Sequence, residues 1–195
     1  QVLMKAGISF VSMQGAKENL QTEIKGWDFD GQHRMAVQSW NKALGKLRVS
    51  GGTDQQKTVF YTALYHTMID PRIVTDVDGL YKGGDGAVHK ATGFNKRTIF
   101  SGWDVFRSQM PLQTLINPAL VSDMVNSLIT LADESRHDYF PRWELLNAYT
   151  GCMIGNPAVS MIADAFSKGI RSYDLDKAYQ YCLGTVKKYD NGPRG

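Results

Sequence analysis

Ser101-Gly102-Trp103-Asp104-Val105-Phe106-Arg107 and Arg142-Trp143-Glu144-Leu145-Leu146-Asn147-Ala148-Tyr149-Thr150-Gly151-Cys152 are dense polar-aromatic knots inside one stretch, Arg97 to Gly155. Each sets a tryptophan beside a carboxylate, with a basic residue close by. An indole offers a flat apolar platform, while Asp, Glu, Arg and Asn offer directional hydrogen bonds. A polyhydroxylated ligand needs both, because the ring faces of a sugar are apolar and its edges are hydroxyls. Asp104 and Arg107 stand three apart, which on a helix places them on one face. The same residues also suit a structural role, as a core tryptophan at a helix start and a solvated ion pair. Composition alone leaves both readings standing.

Outward from the knots, the hydrophobic period predicts a mainly α chain. Alternation over Val2–Val11 predicts a strand, and Ser12 can cap a helix striped by Ala16, Leu20 and Ile24. Gly26–Gly31 breaks it, and a second helix carries Val37, Trp40, Leu44 and Leu47. Gly51-Gly52-Thr53-Asp54 reads as a turn and cap before a third helix with Val59, Phe60, Ala63, Leu64 and Met68, stopped by Pro71. Arg72–Phe100 has no helical period, and Asp78-Gly79 predicts a two-residue hairpin between Ile73–Val77 and Leu80–Lys82. A loop of that length in a compact domain tends to be functional.

The fourth helix is expected over Trp103–Leu115 with a kink at Pro111, and the fifth carries Val121, Met124, Leu128 and Leu131. Asn156 and Pro157 open a sixth with Val159, Ile162, Ala163 and Phe166 before Gly169. A seventh, from Asp174, carries Leu175, Ala178, Tyr179, Cys182 and Val186, and Asp190–Pro193 reads as a turn. One strand followed by paired helices, with polar-aromatic residues in long loops, is the pattern of an α/α toroid. A closed ring of six hairpins needs roughly twice these helices, and an open half ring would expose an apolar edge at about 25 cal/mol per Å². The expectation is therefore part of a larger protein.

Net charge is +3 with Lys and Arg scattered, so nothing resembles a nucleic-acid-binding stripe. No apolar run reaches membrane-spanning length and no signal peptide is visible; the opening Gln1-Val2-Leu3-Met4 reads as the interior of a longer polypeptide. Cys152 and Cys182 are expected as buried thiols. His33, His66, His89 and His137 are isolated, which gives no zinc pattern, and Asp76, Asp78 and Asp85 lack a calcium-loop register and read as a solvated hairpin.

Arg97-Thr98-Ile99-Phe100-Ser101-Gly102-Trp103-Asp104-Val105-Phe106-Arg107, with Arg142-Trp143-Glu144 and Tyr149-Thr150-Gly151-Cys152-Met153-Ile154-Gly155, resembles glycoside hydrolase family 92, the calcium-dependent, exo-acting α-mannosidases. Phe60–Thr67, Val121–Leu128 and Ala163–Ile170 fit the same family in the same order. The resemblance implies a β-sandwich followed by an (α/α)6 barrel. Residues 1–12 would be the last sandwich strand, 13–50 a helical linker, and 51–195 the first half of the barrel. It implies inverting hydrolysis of terminal mannose, α-1,2-mannosidase-like, by an acid and a base in later segments. Neither occurs here, so no catalytic residue is expected before residue 195 and the chain alone is expected to be inactive.

By resemblance, Trp103 and Asp104 line the mannose subsite, joined by Arg107, Trp143, Glu144 and Tyr149. Glu144 also admits two other readings: a general acid beside Trp143, or a structural partner of Arg142. Calcium is implied for the complete polypeptide, with ligands outside this chain. The implied partners are a mannose-containing glycan and the remaining polypeptide, in a periplasmic, cell-surface or secreted setting. The competing readings are a toroidal terpenoid cyclase, whose aspartates should lie on helices, and a non-catalytic carbohydrate-binding or scaffolding module.

Overall fold

The computed structural model describes residues 2–188; the turn expected at Asp190–Pro193 lies outside them. The chain falls into two compact units, one ending at Asp70 and the other beginning at Pro71. The first carries helices α1 (Met13–Glu23), α2 (Phe29–Leu44) and α3 (Asp54–His66). Each starts where a short polar side chain satisfies an otherwise unpaired amide. Ser12 Oγ accepts from Gly15 N at 2.9 Å, Asp28 Oδ1 from Gly31 N at 2.8 Å, and Thr53 Oγ1 from Gln56 N at 3.2 Å. Gln56 accepts in return from Thr53 N at 2.8 Å, which completes a capping box.

Residues 2–11, expected as a strand, form no ladder. A strand needs a neighbour for its N–H and C=O groups, and none of the described residues supplies one. The segment is instead tied to α1, where the buried Asn19 Nδ2 donates to Ile8 O at 2.8 Å. α3 stops at His66, so Met68 of the expected stripe falls in the following turn. Trp27, Phe29, Met35 and Val59 are all more than half exposed in this unit.

The second unit contains β1 (Arg72–Ile73), β2 (Leu80–Lys82), β3 (Val88–Lys90), β4 (Arg97–Thr98), α4 (Gly102–Val105), α5 (Gln109–Ile116), α6 (Pro118–Glu134), β5 (Glu144–Leu145), β6 (Ala148–Tyr149), α7 (Pro157–Ser167) and α8 (Leu175–Lys187). α6 is its axis: the predicted stripe Val121, Met124, Leu128 and Leu131 is buried, and Val125, Ile129 and Ala132 are buried with it. A helix apolar over so much of its circumference must be enclosed. α5 and α8 pack on it, and α7 packs on both of those.

Five expectations are corrected here. Asp78-Gly79 does turn, with Gly79 N donating to Asp76 O at 2.8 Å, but β2 pairs with β3 across a second Asp-Gly pair, Asp85-Gly86. That register stacks Tyr81 on His89, while β1 pairs with β4. The helix expected over Trp103–Leu115 is two helices, because Pro111 has no N–H for Arg107 O and its ring crowds that carbonyl. α7 buries Ala158, Met161, Ile162 and Ala165, whose small members allow close packing, and turns Phe166 out beneath Arg171. Asn156 precedes α7 as expected but makes no side-chain cap bond. α8 buries Ala178 and Thr185 and exposes Tyr179 and Val186.

Gly184 stands inside α8 for a reason of contact: a Cβ there would stand 1.7 Å from Asp138 O. The loop before the second knot thus rests on the helix backbone, and Phe140 N donates to Thr185 Oγ1 at 2.8 Å. Both cysteines are free thiols; Cys152 is exposed rather than buried, while burial pushes the Cys182 thiol up to about 11.

Candidate functional site

The first knot is delivered by a segment pinned to α6. Arg97 N donates to Ser127 Oγ at 2.8 Å, and the Arg97 guanidinium reaches Asp123 Oδ2 at 3.3 Å and Pro71 O at 2.9 Å. Ile99 then takes φ 68°, a left-handed conformation that a β-branched residue rarely adopts. Beyond it, Phe100 and Glu144 form a two-way backbone bridge, with N to O distances of 3.1 and 3.0 Å.

The second knot is a hairpin, β5 turning into β6 through Leu146 and Asn147. Both turn residues have positive φ, 49° and 62°, as a type I′ turn requires. The buried Glu144 carboxylate organises the region. Its Oε1 accepts from Thr98 Oγ1 and Asn147 N, each at 2.6 Å, and its Oε2 accepts from Phe100 N at 3.3 Å. Thr98 Oγ1 in turn accepts from Leu146 N at 2.7 Å. Burial raises the affinity of Glu144 for its proton, and these donors oppose the shift.

The two knots touch. A Cβ on Gly102 would stand 2.6 Å from Arg142 O and 2.5 Å from Pro157 Cγ, so only glycine fits between them. Trp143 Nε1 donates to Ser101 Oγ, and Ser101 Oγ donates to Asp104 Oδ2. Asp104 and Trp103 are both exposed. Arg107 turns to the rings of Trp103 and Phe106, its guanidinium carbon 5.2 and 5.4 Å from their centroids. The result is a surface wall with an apolar ring, a carboxylate acceptor and a guanidinium, joined by one hydroxyl to a second indole. Such a wall can accept and donate hydrogen bonds around an apolar ring face.

Trp103, Asp104, Arg107 and Trp143 therefore lie together. Glu144 faces inward at 1% exposure. It does not pair with Arg142, whose Nη1 donates to Met153 O at 3.3 Å. A general acid must reach the leaving oxygen, and a carboxyl enclosed in this way does not. Tyr149 belongs to a ring cluster with His137 and Tyr139, and its hydroxyl donates to Tyr139 O at 2.6 Å.

Residues with no role in the sequence reading support the site from behind. Lys96 is fully buried, its Nζ 2.9 Å from Ser127 O, 2.7 Å from Thr130 Oγ1 and 3.7 Å from Glu134 Oε2. Burial holds its ammonium down at about 8. Glu134 also accepts from Tyr81 Oη and from Gly84 N at 3.0 Å, which clamps the β2–β3 turn to α6. In sequence Lys96 is one of the scattered basic residues; only the short side chains at Ser127 and Thr130, one turn apart on α6, hint at space for an ammonium.

Asp78 accepts from Leu80 N at 3.0 Å and Asp85 from Ala87 N at 2.9 Å, so both serve as turn caps. Among the described residues, no three His, Cys, Asp or Glu side chains converge to hold a metal ion. No helix among the described residues is long and apolar enough to cross a membrane.

Comparison with known proteins follows the same ground. The family profile described as the glycosyl hydrolase family 92 catalytic domain matches residues 15–194. The structure is similar to that of the family GH92 α-mannosidase BT3965 from Bacteroides thetaiotaomicron, with a TM-score of 0.86 and 34% identity over 91% of this chain and 24% of that one. It is similar to the family GH92 inverting mannosidase BT2199 from Bacteroides thetaiotaomicron, with a TM-score of 0.82 and 35% identity over 89% of this chain and 23% of that one. An uncharacterized secreted glycosidase of Arthroderma benhamiae is 31% identical over 86 residues, 42% of this chain and 11% of that protein. The chain thus spans about a quarter of the length of the solved structures it matches.

Proposed function

This chain belongs to glycosyl hydrolase family 92, and on that premise we propose that the complete polypeptide is an inverting exo-α-mannosidase to which this segment contributes a wall of the mannose subsite. The observation that carries the reading is the Trp143–Ser101–Asp104 relay, which ties one indole to a carboxylate directly beside the exposed Trp103. Trp103 is the platform for the sugar ring, and Asp104 accepts from its hydroxyls. Arg107 and Trp143 extend the wall, and Tyr149, whose hydroxyl is taken by Tyr139 O, is the remaining residue assigned to it. The fold reading that goes with this is one half of an (α/α)6 ring, with residues 1–12 completing a preceding sandwich.

Inversion requires a proton donor at the leaving oxygen and a carboxylate activating water on the opposite ring face. We assign neither to this chain. By itself it binds sugar weakly or not at all and hydrolyses nothing. Calcium belongs to the same reading, with its ligands in the remaining polypeptide, and no step is assigned to it here. A secreted, cell-surface or periplasmic setting suits a polymeric glycan substrate and accords with the secreted relative.

The test is hydrolysis of an aryl α-mannoside by the complete polypeptide, with the anomer of the first-formed mannose read by NMR, before and after chelation. Release of β-mannose, lost with chelator and restored by calcium, is the expected result. Chelator-insensitive turnover or a retained anomer would count against the assignment. Saturable mannoside binding without turnover would instead favour the non-catalytic carbohydrate-binding module.

A further inference from the structure

The residues that face the wall's surface are held by a carboxylate that cannot itself touch a ligand. Glu144 is 1% exposed, and its oxygens take three donors from two segments: Thr98 Oγ1 and Phe100 N on one, Asn147 N on the other. Its immediate chain neighbour is Trp143, and Ser101 directly follows Phe100. Those neighbours alternate outward, as residues across an antiparallel bridge do, and they carry the relay to Asp104. Both segments also contain backbone that does not hold its shape unaided. Ile99 has φ 68° and Leu146 φ 49°, both disfavoured for their side chains, while Asn147 at φ 62° completes the turn with little penalty. Strained conformations persist only where the surroundings over-determine them. Here one carboxylate bonds on both sides of Ile99 and at the second turn residue, and Thr98 Oγ1 covers the first.

We propose that Glu144 is the positioning residue of the sugar wall, its buried carboxylate fixing the Ile99 kink and the Leu146-Asn147 turn and thereby the separation of Trp143 from Asp104. This rests on the mannose-wall reading, since it concerns what holds that wall rather than what the wall binds. Glutamine at 144 keeps an acceptor for Thr98 and Asn147 but turns an N–H toward Phe100 N, a partial loss. Alanine removes both acceptor oxygens and with them all three hydrogen bonds. Thr98→Val takes away one donor and the bond to Leu146 without approaching the surface.

The experiment uses the complete polypeptide labelled with 5-fluorotryptophan, the Trp143 resonance being assigned by Trp143→Phe. Glu144→Gln, Glu144→Ala and Thr98→Val are compared with Asp104→Ala by fluorine NMR without ligand, melting temperature, and kcat and KM on an aryl α-mannoside. We expect the Trp143 resonance to move in all three positioning variants. We also expect kcat/KM to fall on the order of tenfold in Glu144→Gln and a hundredfold in Glu144→Ala, as for a displacement of about 1 Å. Glutamine thus recovers part of what alanine loses, and Glu144→Gln combined with Thr98→Val is less than additive.

A folded Glu144→Gln protein with an unmoved Trp143 resonance and wild-type kcat/KM, beside a crippled Asp104→Ala, overturns the proposal and leaves the wall intact. If Asp104→Ala retains wild-type activity, the wall reading fails, and the fluorine spectrum alone then decides whether Glu144 positions Trp143. Should Glu144→Gln not accumulate as folded protein, Thr98→Val carries the same comparison.

Discussion

Phe100 and Glu144 exchange both of their backbone hydrogen bonds across forty-four residues of chain, and the Glu144 side chain returns to accept from Phe100 N as well. The bridge fuses two loops that would otherwise be independent, so that Ser101 and Trp143 emerge side by side. The site is a property of that closure more than of either loop.

Removing the carboxylate at the surface tests the wall directly. Asp104→Ala in the complete polypeptide should lower kcat/KM by a charged hydrogen bond, about 1.5–3 kcal/mol or roughly 10- to 150-fold. Its melting temperature should hold within a few degrees, because the residue is exposed. Steady-state kinetics on an aryl α-mannoside read the outcome, and an unchanged kcat/KM removes Asp104 from the subsite.

Ser101→Ala cuts the relay while leaving both indoles and the carboxylate in place. Trp143 Nε1 and Asp104 Oδ2 each lose a partner but can turn to water, so the cost should be about 1 kcal/mol, or roughly fivefold in kcat/KM. Combined with Asp104→Ala the loss should be less than additive, since both changes break one chain of bonds. Full additivity would mean that the relay does not order Asp104.

Lys96→Met tests the buried ionic core. Glu134 loses its cation, and Ser127 O and Thr130 Oγ1 lose their donor. Breaking such a pair from one side should destabilise by roughly 3–5 kcal/mol. The pH dependence follows from burial: Lys96 holds its proton to about pH 8 when folded against an ordinary value of 10.5. Between those values the unfolded chain binds the extra proton, so this group makes stability rise with pH across the window. Denaturant titrations from pH 7.5 to 10.5 should show that slope in the wild type and lack it in Lys96→Met.

Leu146→Asn relaxes the turn of the second knot. Leucine at φ 49° carries a left-handed penalty of about 1–2 kcal/mol that asparagine largely avoids. Leu146 is half exposed, so little packing is lost. The melting temperature should rise. If it falls, the side chain of Leu146 contributes more than its backbone costs.

The helical order was legible because α6 is apolar around most of its surface and because Ser12, Asp28, Thr53 and Asp174 each cap the helix that follows. The faces of α7 and α8 were legible only in part: Ile162 and Ala178 of the expected stripes are buried, but periodicity marks which residues are apolar and packing selects Ala158, Met161 and Ala165 over Phe166. The hairpin was misplaced because two Asp-Gly pairs offer the same turn, and Tyr81, bonded to Glu134 fifty-three residues away, settles which one closes. For the site, the knots themselves announce Trp103, Asp104 and Trp143. Ser101, Thr98 and Lys96 are silent in sequence because their roles depend on partners thirty-one to forty-eight residues distant.

Gly184 gives the last of these dependencies a direction. With Asp138 O seated where a methyl would be and Phe140 N bonded to Thr185, the loop leading to Arg142 and Trp143 has its height set by the bare backbone of α8. A residue of any size at 184 would lift that loop away from Gly102, which has no room to follow. The geometry of the proposed wall is therefore exposed to change from the far side of the unit, through backbone that lies away from Trp103 and Asp104 in sequence.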